Sequence, residues 1–146
     1  LCLALAVTPL RVVLGWPELA RFRRLLGLLT FGYASLHLVC YAWFDMGLDW
    51  PDIVRDIPKR PFVLVGSLAF VLLTLMAATS WNGAIRRLGA QRWQALHRSV
   101  YAVAVLAVLH FWWMRAGKND FNEVWVYGLI LAALVGWRLW RRMHRP

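Results

Sequence analysis

Four apolar runs, each close to the roughly 20 residues a helix needs to cross about 30 Å of hydrocarbon, occupy most of this chain. They lie near Leu25–Phe44, Phe62–Trp81, Leu96–Met114 and Val124–Trp140, and a shorter apolar stretch, Leu1–Leu10, precedes them. The expected fold is therefore all-α, a polytopic transmembrane helix bundle with four full spans plus a truncated N-terminal one. The chain begins without Met inside the run LCLALAVTPL, which reads as the end of a helix whose first part lies upstream. Residues 1–146 read as a single domain, with no repeat and no low-complexity linker.

Charge then orients the spans. Seventeen Lys and Arg stand against seven acids, for a net charge of +10 in a chain that is 61% hydrophobic. A nucleic-acid partner would need those cations gathered on a water-facing patch. Here they fall instead in short clusters between apolar runs, as membrane topology requires. Arg11, Arg21, Arg23 and Arg24 precede the first full span, Arg86, Arg87, Arg92 and Arg98 separate the second from the third, and Arg138, Arg141, Arg142 and Arg145 close the chain. All three clusters fall on one side, expected to be cytoplasmic, which puts the C-terminus inside. The alternate loops, Asp45–Lys59 and Arg115–Glu123, are then outside. The ten tryptophans lie near span ends, where an aromatic belt at the headgroups accounts for most of them. Cys2 and Cys40 sit in apolar segments and read as small hydrophobes, with no metal-binding spacing between them.

Imidazoles inside hydrocarbon are costly and point to function, although a lone histidine can also serve as a hydrogen-bonding residue between helices. His37 lies 13 residues after Arg24 and His110 lies 12 after Arg98. Both are thus about 18 to 20 Å from the basic rim, in the outer half of the bilayer. Their helices run in the same direction, so the two rings can face each other at one level. Neutral imidazole is an axial ligand for haem iron, and two of them from two helices can sandwich the macrocycle. His97 is about 20 Å nearer the cytoplasm and would serve a second, inner haem. On an ideal helix His97 and His110 point about 140° apart, so both can address the bundle interior only if the helix is kinked or the haems are offset. Arg23 and His37 share nearly one face, and Arg23 stands at the depth of His97 where a second histidine would be expected. Arg23 is equally explained as a positive-inside residue at a helix start, and His144 as part of a solvated basic tail.

The segments RFRRLLGLLTFGYASLHLVCYAWFDMG, DIPKRPFVLVGSLAF and TSWNGAIRRLGAQRWQALHRSVYAVAVLAVLHFWW, with histidine spacings of 60 and then 13, closely resemble the MsrQ family. Those proteins are haem-binding membrane subunits of a periplasmic methionine sulfoxide reductase system and belong with the ferric-reductase-like transmembrane domains. The resemblance implies a six-helix b-type cytochrome of the bacterial inner membrane, with one or two haem b groups. It would conduct electrons from a cytosolic flavin reductase or quinol to a periplasmic molybdopterin methionine sulfoxide reductase, without itself reducing the sulfoxide. By position, His37, His97 and His110 match the family's haem-associated histidines, and Arg23 falls where oxidase relatives place another ligand. FMN is also associated with the family, but no motif in the chain marks a site for it. Two other readings stand beside this one: a quinol-oxidising cytochrome b anchor for a different enzyme, and a haem-free assembly or transport protein whose histidines join helices.

The outer loop DMGLDWPDIVRDIPKRP adds one further expectation. Asp45, Asp49, Asp52 and Asp56 recur at spacings of four, three and four, which would align them on one face of a short helix. Pro51 would sit in its first turn and Pro58 would end it. Such a row is either a solvated face or a docking face for a basic patch on the external reductase.

Overall fold

A computed structural model describes residues 1–144, and every regular element among them is helical. The order is α1 (Cys2–Val13), a 3₁₀ turn (Pro17–Arg21), α2 (Phe22–Cys40), a π turn (Tyr41–Asp45), α3 (Trp50–Lys59), α4 (Pro61–Ala78), α5 (Asn82–Leu88), α6 (Ala90–His97), α7 (Val100–Ala116) and α8 (Asn122–Met143). Four stretches are long and apolar enough to cross a membrane: Pro17–Asp45, Pro61–Ala78, Ala90–Ala116 and Asn122–Met143, with α1 as a shorter apolar helix. These correspond to the four expected spans, preceded by one shorter apolar helix.

The helices close into a ring. α1 packs on α2 and α8, α2 on α4, α4 most extensively on α7, and α7 on α8. α2 and α7 therefore face each other across the interior. The buried core is small, centred on Leu5, Ala104 and Leu131, while leucines such as Leu25, Leu29 and Leu36 on α2 stay exposed. An outer surface of that kind is stable against lipid tails, where no hydrophobic force drives helices together and close packing must hold them.

Several span ends differ from expectation, the first span beginning at Pro17 rather than Leu25 and the last ending at Met143 rather than Trp140. α4 stops at Ala78 rather than Trp81 because Thr79 Oγ1 and Ser80 Oγ donate back to the carbonyls of Leu75 (2.8 Å) and Met76 (2.7 Å). The Ser80 bond satisfies the open Met76 carbonyl, and Thr79 Oγ1 adds a second donor to the Leu75 carbonyl, which already accepts from Thr79 N–H at 3.2 Å. The third span begins earlier, at Ala90, and breaks after His97: Arg98 N–H reaches the carbonyls of Gln94 and Ala95, and α7 restarts at Val100. This is the kink that the 140° offset between His97 and His110 calls for. Before it, Gly89 adopts a φ of +76°, a left-handed value that favours glycine and separates α5 from α6.

Pro9 lies inside α1 and offers no N–H to the carbonyl of Leu5, four residues earlier. Arg138 of α8 supplies the missing donor, its Nη2 lying 2.6 Å from Leu5 O. A backbone group freed by proline in an apolar helix is thus satisfied by a neighbouring helix.

The aspartate row is not the single face expected. Asp49 caps α3, accepting from Asp52 N–H at 3.2 Å, and Pro51 sits in the first turn. Pro58 lies inside the helix, which runs one residue further to Lys59. Asp45 belongs to the π turn, and Asp56 is buried, accepting from Tyr41 Oη at 2.7 Å and Arg60 Nε at 2.9 Å. Spacing alone aligned residues that capping and burial separate. Trp93 also departs from the aromatic belt: it is half-buried, and its Nε1 donates to Thr79 O at 2.8 Å.

Candidate functional site

His37 of α2 and His110 of α7 meet across the ring, with ring centroids 6.0 Å apart and planes at 81°. A metal–imidazole bond of about 2 Å, with each ring nitrogen about 1.2 Å from its centroid, requires roughly 6 Å between centroids for two rings to share one metal. The spacing meets that requirement. The tautomer of His110 is fixed as well. Its Nδ1 lies 2.8 Å from Phe62 O, and because a carbonyl only accepts, Nδ1 carries the proton and Nε2 keeps its lone pair. A backbone carbonyl on the distal nitrogen is the usual way a protein orients a ligating imidazole and raises its basicity.

Both histidines line a cavity of about 740 Å³ between α1, α2, α7 and α8. Its wall is mostly apolar, with Val108, Phe111, Tyr127 and Leu131 among the lining residues. Arg115 and Lys118 stand on its wall near the loop that joins α7 to α8. Arg115 is held by Glu123 and by Asp120 at 3.8 Å. The volume lies within the range of about 300 to 1,000 Å³ typical of ligand sites. Two imidazoles at this spacing, one free Nε2, an apolar wall and cations on it fit a haem and its carboxylates.

His97 is placed differently. Its Nε2 lies 3.1 Å from Thr79 Oγ1, and its ring stacks on Trp93 at 4.0 Å. The Thr79 hydroxyl proton goes to Leu75 O, so Oγ1 accepts and His97 Nε2 donates. His97 and Arg23 line a second cavity of about 520 Å³ at the arginine-rich end. Arg24, Arg98, Arg138 and Arg142 join them there, and among the described residues no carboxylate lies on that wall. Among the described residues Arg138 Nε is buried without a hydrogen-bond partner. An unpaired buried donor among five guanidinium groups calls for an anion. His144, at the end of α8, stays exposed and bonds back to Trp140 O at 2.9 Å. Among the described residues no group of three or more His, Cys, Asp or Glu could hold a metal ion, so a metal at His37 and His110 would need a non-protein equatorial ligand such as a porphyrin.

Sequence reasoning missed Phe62, Gly66, Thr79 and Trp93. Gly66 carried a signal, since a glycine within a helix is unfavourable and marks close approach. The carbonyl of Phe62 carried none.

The model of the family described as ferric reductase like transmembrane component matches residues 1–108. A protein-methionine-sulfoxide reductase heme-binding subunit MsrQ from Polaromonas naphthalenivorans is 64% identical over 139 residues, which cover 95% of this chain and 64% of the relative. The proteins of the same description from Bordetella pertussis and Ralstonia nicotianae are 52% and 54% identical, over 97% and 96% of this chain and 70% and 64% of the relatives. The chain thus spans a little under two thirds of the length of the Polaromonas relative. No solved structure matches it.

Proposed function

The chain belongs to the ferric reductase like transmembrane family and, within it, to the MsrQ haem-binding subunits, and on that premise we propose that residues 1–146 work as one b-type cytochrome unit. It conducts electrons across the bacterial inner membrane, with the C-terminus cytoplasmic, from a cytosolic flavin reductase or quinol to a periplasmic molybdopterin methionine sulfoxide reductase. The observation that carries this reading is the 6.0 Å spacing of His37 and His110. These two residues would supply the axial ligands of a haem b, with Lys118 and Arg115 toward its carboxylates. Bound there, haem supplies a one-electron couple whose potential follows its ligands, their hydrogen bonds and burial. The chain's own contribution is to hold His110 in one tautomer, fix the ring spacing and keep the surroundings apolar.

The arginine-lined cavity does not fit a second bis-histidine haem. His97 is its one histidine among the described residues, and its Nε2 is engaged by Thr79 Oγ1 at 3.1 Å. Five arginines, with no carboxylate among the described residues of the wall, favour a phosphate-bearing group there, and we assign FMN to it. FMN supplies a group that can take two electrons and release them singly. Arg23 is then an anion-binding residue, and His97, stacked on Trp93, forms part of the aromatic wall.

Reduced-minus-oxidised spectra of the full-length protein test the central claim. A low-spin b-type signal is expected, reoxidised by the molybdenum reductase with methionine sulfoxide, and lost in both His37→Ala and His110→Ala. A full bis-histidine spectrum in either variant would overturn the pairing.

A further inference from the structure

Gly66 and Phe62 stand one helical turn apart on α4, directly beside His110. A Cβ built on Gly66 would lie 2.8 Å from His110 Nδ1 and 3.0 Å from Cε1, closer than side chains tolerate. The same imidazole donates to Phe62 O at 2.8 Å. Within α4, the carbonyl of residue 62 points toward the N–H of residue 66, so the residue at 66 controls lateral access to that oxygen. A side chain there would occupy the place of the ring. α4 and α7 are the most extensively packed pair of the fold, so α7 cannot withdraw without opening the ring.

We infer that Gly66 is a positioning residue for the haem ligand: the missing side chain lets His110 reach the Phe62 carbonyl, and that bond sets the ligand's tautomer, direction and donor strength. The inference rests on the reading of His110 as an axial ligand. Its consequence is electronic as well as steric. An Nδ1–H held by a carbonyl makes Nε2 a stronger donor, which stabilises ferric over ferrous iron and lowers the potential. Loss of a partner of this kind at a metal site costs about 10- to 100-fold in affinity or activity.

The test uses the full-length haem-loaded protein with Gly66→Ala, and with Gly128→Ala as the control. Gly128 lies on α8 against α7, and a Cβ there would meet only Val108 Cγ1, at 3.9 Å, an ordinary contact. Gly66→Ala is expected to raise the midpoint potential, shift the low-spin electron paramagnetic resonance signal, and weaken haem retention by about 10- to 100-fold. Gly128→Ala should match the parent in all three. If Gly66→Ala binds no haem, added imidazole should restore a six-coordinate spectrum in it and in His110→Gly alike, because each then lacks only the ligand. A spectrum and potential identical to the parent would overturn the inference while leaving the haem reading intact. Rescue of His110→Gly but not of Gly66→Ala would also overturn it, since the glycine would then serve the fold alone. A parent protein with no low-spin haem, or a His110→Ala variant that keeps it, would sink the axial-ligand reading itself.

Discussion

Replacing Arg138 by Leu keeps an apolar side chain of useful size on α8 but leaves the Leu5 carbonyl without a donor. Pro9 denies that carbonyl its intrahelical partner, and the Arg138 bond of 2.6 Å is its replacement. A hydrogen bond from a charged donor contributes about 1.5 to 3 kcal/mol in water-soluble proteins. Bonds between helices in membranes average nearer 0.6 kcal/mol and reach about 1.7. The site is half-buried and cationic, so Arg138→Leu should cost about 1 to 2 kcal/mol. Pro9→Ala restores an N–H one turn after Leu5, and in that background the Arg138→Leu penalty should fall close to zero, giving a coupling of about 1 to 2 kcal/mol. Reversible unfolding in mixed micelles, followed by circular dichroism for the parent, both single variants and the double variant, measures that coupling. Additive effects within about 0.5 kcal/mol would show that Pro9 and Arg138 do not share the carbonyl, and would refute the argument.

Two further outcomes follow from the ends of the bundle. Asp56→Ala removes a buried acceptor from Tyr41 and a partner from Arg60, and should destabilise by about 2 kcal/mol. Asp52→Ala breaks only an exposed pair with Arg55 at 3.5 Å and should cost a few tenths; equal midpoints in unfolding titrations would contradict the division of the aspartates. At the other end, Arg23→Gln should lower FMN retention on gel filtration by about tenfold, the loss of one charge-assisted bond. His97→Ala should leave the low-spin haem signal unchanged, whereas loss of a second, distinct haem signal in His97→Ala would restore a haem to that cavity.

The spans were legible because hydrocarbon imposes a length, and a helix converts that length directly into residue count. Counting from the basic rims also brought His37 and His110 to one depth, since both helices start at arginines and run the same way. The surroundings of those histidines were not legible for a different reason. The partner of His110 is a main-chain oxygen, which every residue possesses, and the partner of His97 is a threonine that reads as the ordinary end of a helix. The five arginines of the cavity come from α2, α8 and the turn before α7, so each guanidinium alone resembles a topology signal. Only closure of the ring reveals that they converge. The aspartates failed in the opposite direction: a regular spacing hid three separate roles, because spacing says nothing about which residue caps the helix and which faces the bundle.

Under the proposed function, the two ends of the ring interior would divide the electrical work. Near His37 and His110 the wall is mostly apolar and Arg115 is held by Glu123 and Asp120, so a haem there would have its potential set chiefly by its ligands and by the Phe62 carbonyl. At the arginine-rich end, five guanidinium groups share a cavity with no carboxylate on its wall among the described residues. Fixed positive charge near a low-dielectric interior favours whichever redox state carries more negative charge, and so favours the reduced form of any group bound among the arginines. Electrons entering from the basic side would be gathered there first. Passing them on to the histidine pair then requires the haem couple to lie higher, and the carbonyl on His110, which lowers it, limits how high. Arg23 and Gly66 thus act on the same driving force from opposite ends. Replacing Arg23 by a neutral residue should enlarge that difference, and Gly66→Ala should enlarge it too, by raising the acceptor instead of lowering the donor.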